Sequence, residues 1–582
     1  MPRRLSVEPT TPSAGPPSGP KAVPKAVHSL TLSSSAVFAA SLATQLIGFF
    51  ASIALYKTFG LTDEGRYLLG TAQLFLLIGS SINGVGDLRL GTAYTYYLAR
   101  GKPATDNTST YLVVRMLMVG AAGLILFVIA PVSIGGSRIA SGSNQLLALG
   151  IFLALPLLWS FSTVYNALFI GVGDSVKAQY PSLVEAIARL PALVIVALYF
   201  PTILGITTAY ALGALASTLY CLPAILRLLR KFHWPEAARM FRFSWPLMGS
   251  LMLSYLVTNM VPLIVNFFLG PTNLSYFLAA NGWRILALSL SAAVATPLFP
   301  YIAGLHRQEQ YERIRRGTWQ ALRYTSMLLV PGVVALVTYR SVFLNVFQTQ
   351  AYATNAAIPL AILVIGAIPL ALSQIMQASI NAIGRQRLEL YITSTQVVVL
   401  FAAVFLLMPS WGLLYLSNGL IAGSIAVLAS SIAALALNTY YMETLIQVHI
   451  QPRSILGIVV SAASGFFVMS QFNHLLPHNR YFQLGAGVVL GFIAYFAILI
   501  LVGELTRQDV RQIGSSIGFP PWLYNGLARI CWRQSSTGLL PVDLSRARGL
   551  RPTELPETFV GDTELPEMTP LPEEPPPSPP EV

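Results

Sequence analysis

The chain has 582 residues, of which 54% are hydrophobic and only 10% are charged, and its mean hydropathy is +0.63. A water-soluble domain carries about 25% charged residues, so the composition excludes an ordinary soluble protein. The net charge of +13 would suit a nucleic-acid-binding protein. The basic residues lie mostly in short connections between apolar stretches, however, and this pattern favours a membrane protein that binds no nucleic acid.

The first part of the chain predicts a membrane-embedded lobe. Residues 1–29 are polar and rich in Pro and Ser, so we expect a disordered cytoplasmic segment without a cleaved signal peptide. Residues 30–227 should form an N-lobe, because each of its apolar stretches has about the 20 residues that cross a bilayer. The predicted spans are 32–55, 67–86, 111–131, 146–168, 180–200 and 203–226.

The second part repeats this arrangement. A cytoplasmic linker at 228–243, LLRKFHWPEAARMFRF, places Pro235 where it suits the first turn of a surface helix. Residues 244–438 should form a C-lobe, and residues 439–510 an appended pair of spans. The predicted spans are 245–268, 276–301, 319–338, 357–380, 389–408, 413–437, 455–475 and 482–502. The predicted fold class is therefore all-α and integral to the membrane, with about fourteen transmembrane helices.

The C-terminal region differs from the rest. Residues 511–542 contain PPWLYNGLARICWR, which has the pattern of an amphipathic helix on the inner membrane surface. Residues 543–582 are rich in Pro and Glu and contain TELPE twice, so they bury too little apolar surface to fold. We expect a solvated tail, and a docking peptide for a cytoplasmic partner is the alternative. Cys221 and Cys531 are far apart and predict neither a disulfide nor a zinc site.

The basic residues predict the orientation in the membrane. The connections after even-numbered spans carry most of them, in the segments 100–102, 227–242, 307–316 and 385–387. The opposite connections carry few. Because Lys and Arg concentrate in cytoplasmic loops, both termini should lie in the cytoplasm.

Two segments recur at nearly one offset. FGLTDEGRYL (59–68) aligns with LGPTNLSYFL (269–278) at an offset of 210, and 166–180 aligns with 377–391 at an offset of 211. The offset covers an even number of spans, so both copies should insert with the same orientation. We therefore expect two six-helix repeats, related by a pseudo-two-fold axis along the membrane normal, around a central cavity.

Seven segments occur in a recognisable order along residues 30–510. They are YKTFGLTDEGRYLLGTAQ (56–73), GVGDLRLGTAYTYYLARGK (84–102), FRFSWPLMGSLM (241–252), FFLGPTNLSYFLAANGWRI (267–285), TPLFPYIAGLHRQ (296–308), NAIGRQRLELY (381–391) and GELTRQDV (503–510). In their order and spacing they resemble the bacterial polysaccharide flippases of the O-antigen type. These flippases belong to the multidrug/oligosaccharidyl-lipid/polysaccharide exporter (MOP) superfamily.

The resemblance implies a V-shaped pair of six-helix lobes that works by alternating access as a monomeric transport unit. It implies a substrate, an undecaprenyl-diphosphate-linked oligosaccharide, that moves across the bacterial inner membrane for lipopolysaccharide or related synthesis. Membrane lipids and proteins of polysaccharide assembly are then the candidate partners. The sequence departs from the family pattern at Pro262 and Leu263, where a charged pair is common, and at Arg89, where a glycine is usual.

The sequence contains no HExxH or P-loop motif, so we expect a transporter rather than an enzyme, without cofactor or metal. Charged residues within a membrane are costly and usually pair or face a cavity. Glu185 precedes Arg189 by four residues and should pair with it. Arg89, near Asp87, could mark the inner interface, and Arg115 could be a snorkelling end residue. The four intramembrane arginines are Arg89, Arg115, Arg189 and Arg284.

Arg284 is the strongest candidate for substrate binding. It lies about eight residues into span eight, without an acid within four positions. A guanidinium is a permanently charged, bidentate partner for phosphate, so we expect Arg284 to face the cavity and contact the diphosphate. Uncharged polar residues in the spans could bind sugar hydroxyls, with helix–helix hydrogen bonding as the alternative for each. These residues are Gln45, Asn259, Asn266, Asn281, Gln374 and Asn381.

Three other functions stay open. A drug or cation antiporter of the same superfamily would normally need an acid in the spans, and spans one and seven contain none. A peptidoglycan-precursor flippase would be expected to carry an arginine-rich first helix. A membrane glycan polymerase or ligase would need a large extracytoplasmic loop, whereas the longest predicted one, near 339–356, is short.

Overall fold

A computed structural model describes residues 25–99, 104–130, 140, 142–172, 174–409, 412–448, 452–475, 480–507 and 509–510. These residues form helices and no strand, so the predicted all-α fold is confirmed. The predicted interfacial helix and the Pro/Glu-rich tail lie outside the described residues. The chain up to Glu504 belongs to one compact unit and the chain from Leu505 to a second. Within the second, the Thr506 hydroxyl donates to the Asp509 carboxylate at 2.7 Å.

In the described part of the chain, seven α-helices precede the linker. They are α1 (Lys25–Phe59), α2 (Asp63–Val85), α3 (Leu90–Ala99), α4 (Ala104–Ile129), α5 (Ser143–Val172), α6 (Tyr180–Tyr199) and α7 (Ile203–Leu226). α2 starts after Thr62, whose hydroxyl accepts a hydrogen bond from the Gly65 N–H at 3.0 Å and so caps the helix. α1 begins inside the segment that the sequence predicts to be disordered. α3 is a ten-residue helix that the sequence does not predict.

Nine α-helices follow among the residues that the structure describes. They are α8 (Trp234–Arg307), α9 (Tyr311–Thr338), α10 (Arg340–Phe347), α11 (Gln350–Asn355), α12 (Ala357–Ala382), α13 (Gln386–Leu407), α14 (Gly419–Ile446), α15 (Pro452–Leu475) and α16 (Arg480–Leu501). Pro235 lies in the first turn of α8, as predicted. The helix that begins in the linker continues into the predicted seventh span without a break.

α8 reverses direction at one residue. Its 74 residues are helical except at Gly270, where φ is 82° and ψ is 174°. Before Gly270, Tyr255 packs against Gly84 near the end of α2, whereas Pro271 packs against Gly70 near the start of α2. After Gly270 the chain returns. Leu269 packs against Gly419 at the start of α14, whereas Ile302 lies in one apolar cluster with Ile446 at the other end of α14. A glycine adopts this positive φ without strain, so the predicted break at LGPTNLSYFL is made by one residue.

Thirteen helices among the described residues are long and apolar enough to cross a membrane. One of them, Leu251–Ser289, has 39 residues and contains the Gly270 reversal. At a rise of about 1.5 Å per residue it is longer than the bilayer core of about 30 Å. The sequence predicts two spans at this place. The fold is therefore confirmed, whereas the exact number of fourteen is not.

Helices from the two halves of the chain meet at what we call the Gly60 end. The Gly60 carbonyl, at the end of α1, accepts a hydrogen bond from the Thr349 hydroxyl at 3.2 Å. The Lys57 ammonium donates to the Asn345 carbonyl at 3.2 Å. Tyr352 on α11 packs edge-on against Tyr56 on α1, with ring centroids 5.2 Å apart. The short helices α10 and α11 thus close over α1 at this end.

The halves also meet at the opposite end, which we call the Asp87 end. The Ser244 hydroxyl of α8 donates to the Arg89 carbonyl at 3.1 Å. Phe243 of α8 stacks on Tyr96 of α3 with ring centroids 4.8 Å apart. The positive-inside pattern predicts that the Asp87 end is cytoplasmic.

Candidate functional site

Arg115 lies at the centre of a buried polar network. Its side chain is only 1% exposed and pairs with the Asp87 carboxylate at 2.5 Å. It also donates to the Asn83 amide oxygen at 2.6 Å and to the Thr163 hydroxyl at 3.2 Å. Asp87 accepts a further hydrogen bond from the Tyr111 hydroxyl at 2.5 Å. The prediction that Arg115 is a snorkelling end residue is therefore wrong, because packing of α2, α4 and α5 encloses it.

Arg189 pairs with Glu185 one turn earlier on α6, at 3.1 Å, which confirms the predicted pair. The guanidinium also stacks over the ring of Tyr210 on α7, with its central carbon 5.0 Å from the ring centroid. The side chains of Arg189 and Glu185 are 19% and 16% exposed. The positive charge of Arg189 is therefore balanced within the N-terminal half.

Arg89 lies at the break between α2 and α3, in a strained backbone. Both Leu88 and Arg89 have positive φ, 46° and 60°, which costs free energy in residues other than glycine. Asp87 binds Arg115 rather than Arg89. Among the described residues no carboxylate pairs with Arg89, and its Nε is buried without a hydrogen-bond partner.

Arg284 lies on the part of α8 that follows the Gly270 reversal. Its Nη1 donates to the side-chain oxygen of Asn281 at 2.7 Å. Its Nε is buried without a hydrogen-bond partner. In the part of the chain that the structure describes, no carboxylate pairs with Arg284. The partner that the geometry provides is a neutral amide, so the positive charge remains uncompensated.

The predicted polar candidates divide into two groups. Gln374 accepts from the Ser291 hydroxyl at 2.7 Å, and Asn381 donates to the Glu389 carboxylate at 2.8 Å. These two side chains therefore hold helices together, which is the alternative that the sequence left open. Gln45 and Asn266 each have a buried side-chain oxygen without a hydrogen-bond partner among the described residues. Asn259, on α8, is partly buried.

An apolar cavity of about 300 Å³ lies between α8, α9, α10 and α16. Its wall includes Trp283, Leu329, Val333, Phe343 and Phe492. Since Trp283 precedes Arg284 in sequence, the cavity and the uncompensated cation lie on adjacent faces of one helix turn. The described residues contain no group of three His, Cys, Asp or Glu side chains that could hold a metal ion.

Comparison with known proteins adds family information. Residues 99–357 match the model of a family described as polysaccharide biosynthesis proteins. A probable low-salt glycan biosynthesis flippase of Haloferax volcanii is 22% identical over 303 residues, which are 52% of this chain and 62% of that protein. The match therefore spans less than two thirds of the length of that relative.

Solved structures provide the fold. The lipid II flippase MurJ, in an inward closed conformation, matches with a TM-score of 0.68 and 13% identity over 80% of this chain and 98% of its own. An inward-facing multidrug resistance MATE transporter of the MOP superfamily matches with a TM-score of 0.56 and 16% identity, over 71% and 98% of the two chains. A MOP superfamily transporter from Pyrococcus furiosus gives 0.53 and 15%, over 72% and 96%. The chain has the same fold as these three transporters. The resemblance stated from the sequence is thereby confirmed, and at these identities the solved structures provide the fold alone.

Sequence reasoning missed two features of this fold. It did not assign Asp87 and Tyr111 to Arg115, because these residues are far apart in the chain and only helix packing brings them together. It also missed the apolar cavity, whose walls come from four separate helices. The signal that could have linked Asp87 to Arg115 is their placement, since an acid after α2 and a base within α4 both lie near the predicted inner surface.

Proposed function

We propose that this protein moves an undecaprenyl-diphosphate-linked oligosaccharide from the inner to the outer leaflet of the bacterial cytoplasmic membrane for polysaccharide synthesis. It would act as a transporter that alternates between two access states, with both termini in the cytoplasm. The names of its relatives, a glycan biosynthesis flippase and a lipid II flippase, support a lipid-linked glycan as the substrate class.

The observation that carries the proposal is the uncompensated charge of Arg284. A cation within a membrane span is costly without a counter-charge, and the partly buried Arg284 has only the neutral Asn281 as partner among the described residues. Arg115 and Arg189, by contrast, are each balanced by a carboxylate. A diphosphate that enters beside Arg284 would supply the missing negative charge, and the guanidinium would bind it with two parallel hydrogen bonds.

The apolar cavity supports a lipid carrier. Its wall around Trp283 and Phe492 offers hydrocarbon surface beside the helix turn that bears Arg284. A ligand with a charged diphosphate and a long prenyl chain has one part for each of these environments. Of the polar candidates, Gln45 and Asn266 keep a buried oxygen available for sugar hydroxyls, since neither makes a hydrogen bond within the described residues.

The test is reconstitution into vesicles that contain an undecaprenyl-diphosphate-linked trisaccharide with a fluorescent label on the sugar. A membrane-impermeant quencher added outside first removes the outer-leaflet signal. The protein should then expose the inner-leaflet pool to the quencher at a rate well above that of empty vesicles. If the lipid-linked glycan stays in the inner leaflet while an organic cation is exported, the antiporter is the better assignment.

Replacement of Arg284 connects this activity to the proposed site. Arg284→Ala and Arg284→Gln should slow flipping by about 10- to 150-fold, because a hydrogen bond to a charged group contributes about 1.5–3 kcal/mol. Arg284→Lys should restore part of the rate, since it keeps the charge and loses the bidentate geometry. The matched control is Arg316→Gln, because Arg316 is 58% exposed and pairs with Glu312 at the start of α9. Full flipping by Arg284→Gln would contradict a phosphate-binding role.

A further inference from the structure

Arg89 is held in a backbone conformation that costs free energy. It follows Leu88 in the break between α2 and α3, and Leu88 and Arg89 have positive φ, 46° and 60°. Glycine would adopt this conformation without strain, whereas a residue with a side chain does so at a cost. Strained positions of this kind concentrate at sites where the side chain has a function. The strain therefore points to a use for the Arg89 guanidinium.

The Arg89 guanidinium is the surplus charge of a polar cluster. Asp87 is the carboxylate nearest in sequence, and its Oδ1 binds Arg115 at 2.5 Å and the Tyr111 hydroxyl at 2.5 Å. Its Oδ2 accepts a hydrogen bond from the Gly91 N–H at 3.3 Å. No carboxylate among the described residues pairs with Arg89, and its Nε is buried without a hydrogen-bond partner there. Two arginines thus share one carboxylate, which leaves Arg89 able to bind an external anion.

Arg89 lies where the two halves of the chain meet. Its carbonyl accepts a hydrogen bond from the Ser244 hydroxyl of α8 at 3.1 Å. Tyr255, on the same part of α8, packs against Gly84, and its hydroxyl is close enough to Arg89 and Asp87 to interact with their charges. An anion on the Arg89 guanidinium would therefore be bound at the junction of the two halves.

The depth of Arg89 in the membrane follows from its contact with α8. Ser244 precedes the Gly270 reversal by 26 residues, which is about 39 Å of helix, whereas Arg284 follows the reversal by 14 residues, or about 21 Å. A bilayer is about 40–45 Å thick with its headgroups, around a hydrocarbon core of about 30 Å. With Gly270 at the outer surface, Arg89 lies near the inner headgroups and Arg284 lies inside the core.

An arginine that only marks the membrane orientation needs none of these features. The side chain of Arg316, on α9, is 58% exposed on a regular helix and pairs with Glu312. Arg89, by contrast, has a strained backbone, a buried Nε and no acidic partner among the described residues. Sequence position alone allowed Arg89 to be an interface marker, whereas the structure favours a binding role.

We infer that Arg89 is a loading site, which binds the diphosphate of the lipid-linked substrate at the inner leaflet before that group reaches Arg284. The phosphates of a lipid lie at the level of the headgroups, which is the level of Arg89. A guanidinium binds phosphate with two parallel hydrogen bonds. The inference deepens the proposed function and rests on it for the identity of the ligand, a prenyl diphosphate. Arg89 then governs how readily the substrate is captured, and Arg284 governs how fast it crosses.

The first experiment separates capture from crossing. The flipping assay is run over a range of labelled-substrate contents in the vesicles, which gives a half-saturating content and a maximal rate. Arg89→Gly should raise the half-saturating content by about 10- to 150-fold, as expected for a lost hydrogen bond to a charged group. It should leave the maximal rate near that of the parent protein, whereas Arg284→Gln should lower the maximal rate.

The same variant tests whether Arg89 is merely structural. Glycine suits the positive φ, so the Arg89→Gly protein should unfold at or above the temperature of the parent while it loses affinity for the substrate. Arg89→Lys keeps the charge and loses the bidentate geometry, so it should restore part of the affinity. The matched control is Arg239→Gln, because Arg239 is 47% exposed near the start of α8 and pairs with Glu236. This control should leave the half-saturating content and the maximal rate unchanged.

The second experiment needs no transport. Native mass spectrometry of the full-length protein in detergent counts bound undecaprenyl diphosphate, with phosphatidylglycerol added in excess as an ordinary phospholipid. The Arg284→Gln protein should still bind the diphosphate lipid through Arg89, and the double variant Arg89→Gly/Arg284→Gln should lose it. Displacement of the diphosphate lipid by phosphatidylglycerol would show that Arg89 holds an ordinary phospholipid, which overturns the loading site.

The outcomes separate the loading site from the proposed function. An unchanged half-saturating content in Arg89→Gly, together with slower flipping in Arg284→Gln, overturns the loading site and leaves the flippase assignment standing. A lower maximal rate in Arg89→Gly at an unchanged half-saturating content places Arg89 in the crossing step, which also overturns a role in loading. Binding of undecaprenyl diphosphate that depends on Arg89, without flipping of the lipid-linked glycan, supports the site and removes the flippase assignment.

Discussion

Gly70 provides a direct handle on the contact between the two halves. A β-carbon at this position of α2 would overlap with the backbone carbonyl of Pro271, just after the reversal in α8. A backbone carbonyl cannot rotate away as a flexible side chain can, so Gly70→Ala should force α2 and α8 apart. Overpacking of this kind costs about 1–3 kcal/mol. If the helices separate when the Gly60 end opens, the cost falls on the closed state alone.

The expected effect is a shift of about 5- to 150-fold toward the open state, since about 1.4 kcal/mol corresponds to tenfold. Spin labels attached at Leu61→Cys and Thr354→Cys, two exposed positions on opposite halves of the chain at the Gly60 end, measure it by double electron–electron resonance as a larger share of long distances. Gly282→Ala is the matched control, because Gly282 lies in the helical part of α8 and a β-carbon there has no atom within 4 Å. If Gly70→Ala gives the same distances as the unchanged glycine, or if Gly282→Ala opens the protein equally, the closure does not depend on this contact.

Three further predictions concern stability and the tail. Asp87→Asn should destabilise the protein by about 3 kcal/mol or more, because it leaves Arg115 buried without a counter-charge. Asp63→Asn should cost less than about 1 kcal/mol, because the Asp63 side chain is 94% exposed. Thermal unfolding in detergent compares the two variants, and equal losses would contradict the network around Arg115. Arg89→Gly should be more stable than Arg89→Ala by about 1 kcal/mol in the same assay, because both variants remove the guanidinium and only glycine adopts the positive φ without strain. A more stable alanine variant would argue against strain at this position. A chain truncated after Asp543 should insert and flip normally, as its composition predicts, and normal membrane levels without flipping would show that the tail binds an essential partner.

The sequence predicted what depends on local spacing. Runs of apolar residues located the spans, and the i, i+4 spacing located the pair of Glu185 and Arg189. Pro235 was placed correctly in a first helical turn because the cyclic side chain suits only a few helix positions. These inferences use interactions within about one turn of helix, so they need no knowledge of the tertiary structure.

What depends on packing between helices was not predictable. Arg115 could not be assigned to Asp87, since 28 residues separate them and their contact requires α2, α4 and α5 to be placed together. The number of spans was uncertain for a related reason, because Gly270 reverses α8 without the loop that usually separates two helices. The predicted superposition of the two repeats, and the predicted position of Arg284 in a central cavity, stay predictions.

The unpaired charge of Arg284 also has an electrical consequence. A membrane potential acts on each charge that crosses it with about 2.3 kcal/mol per 100 mV. If the proposed function is right and the cell interior is negative, the empty carrier would present a bare cation that the voltage draws inward, which would favour the return step. A loaded carrier would hold a diphosphate whose negative charge Arg284 balances only in part, and the same voltage would draw this complex outward. A fixed cation at this position would therefore let the membrane potential drive two steps. The voltage would speed the return of the empty carrier as well as the export of its load.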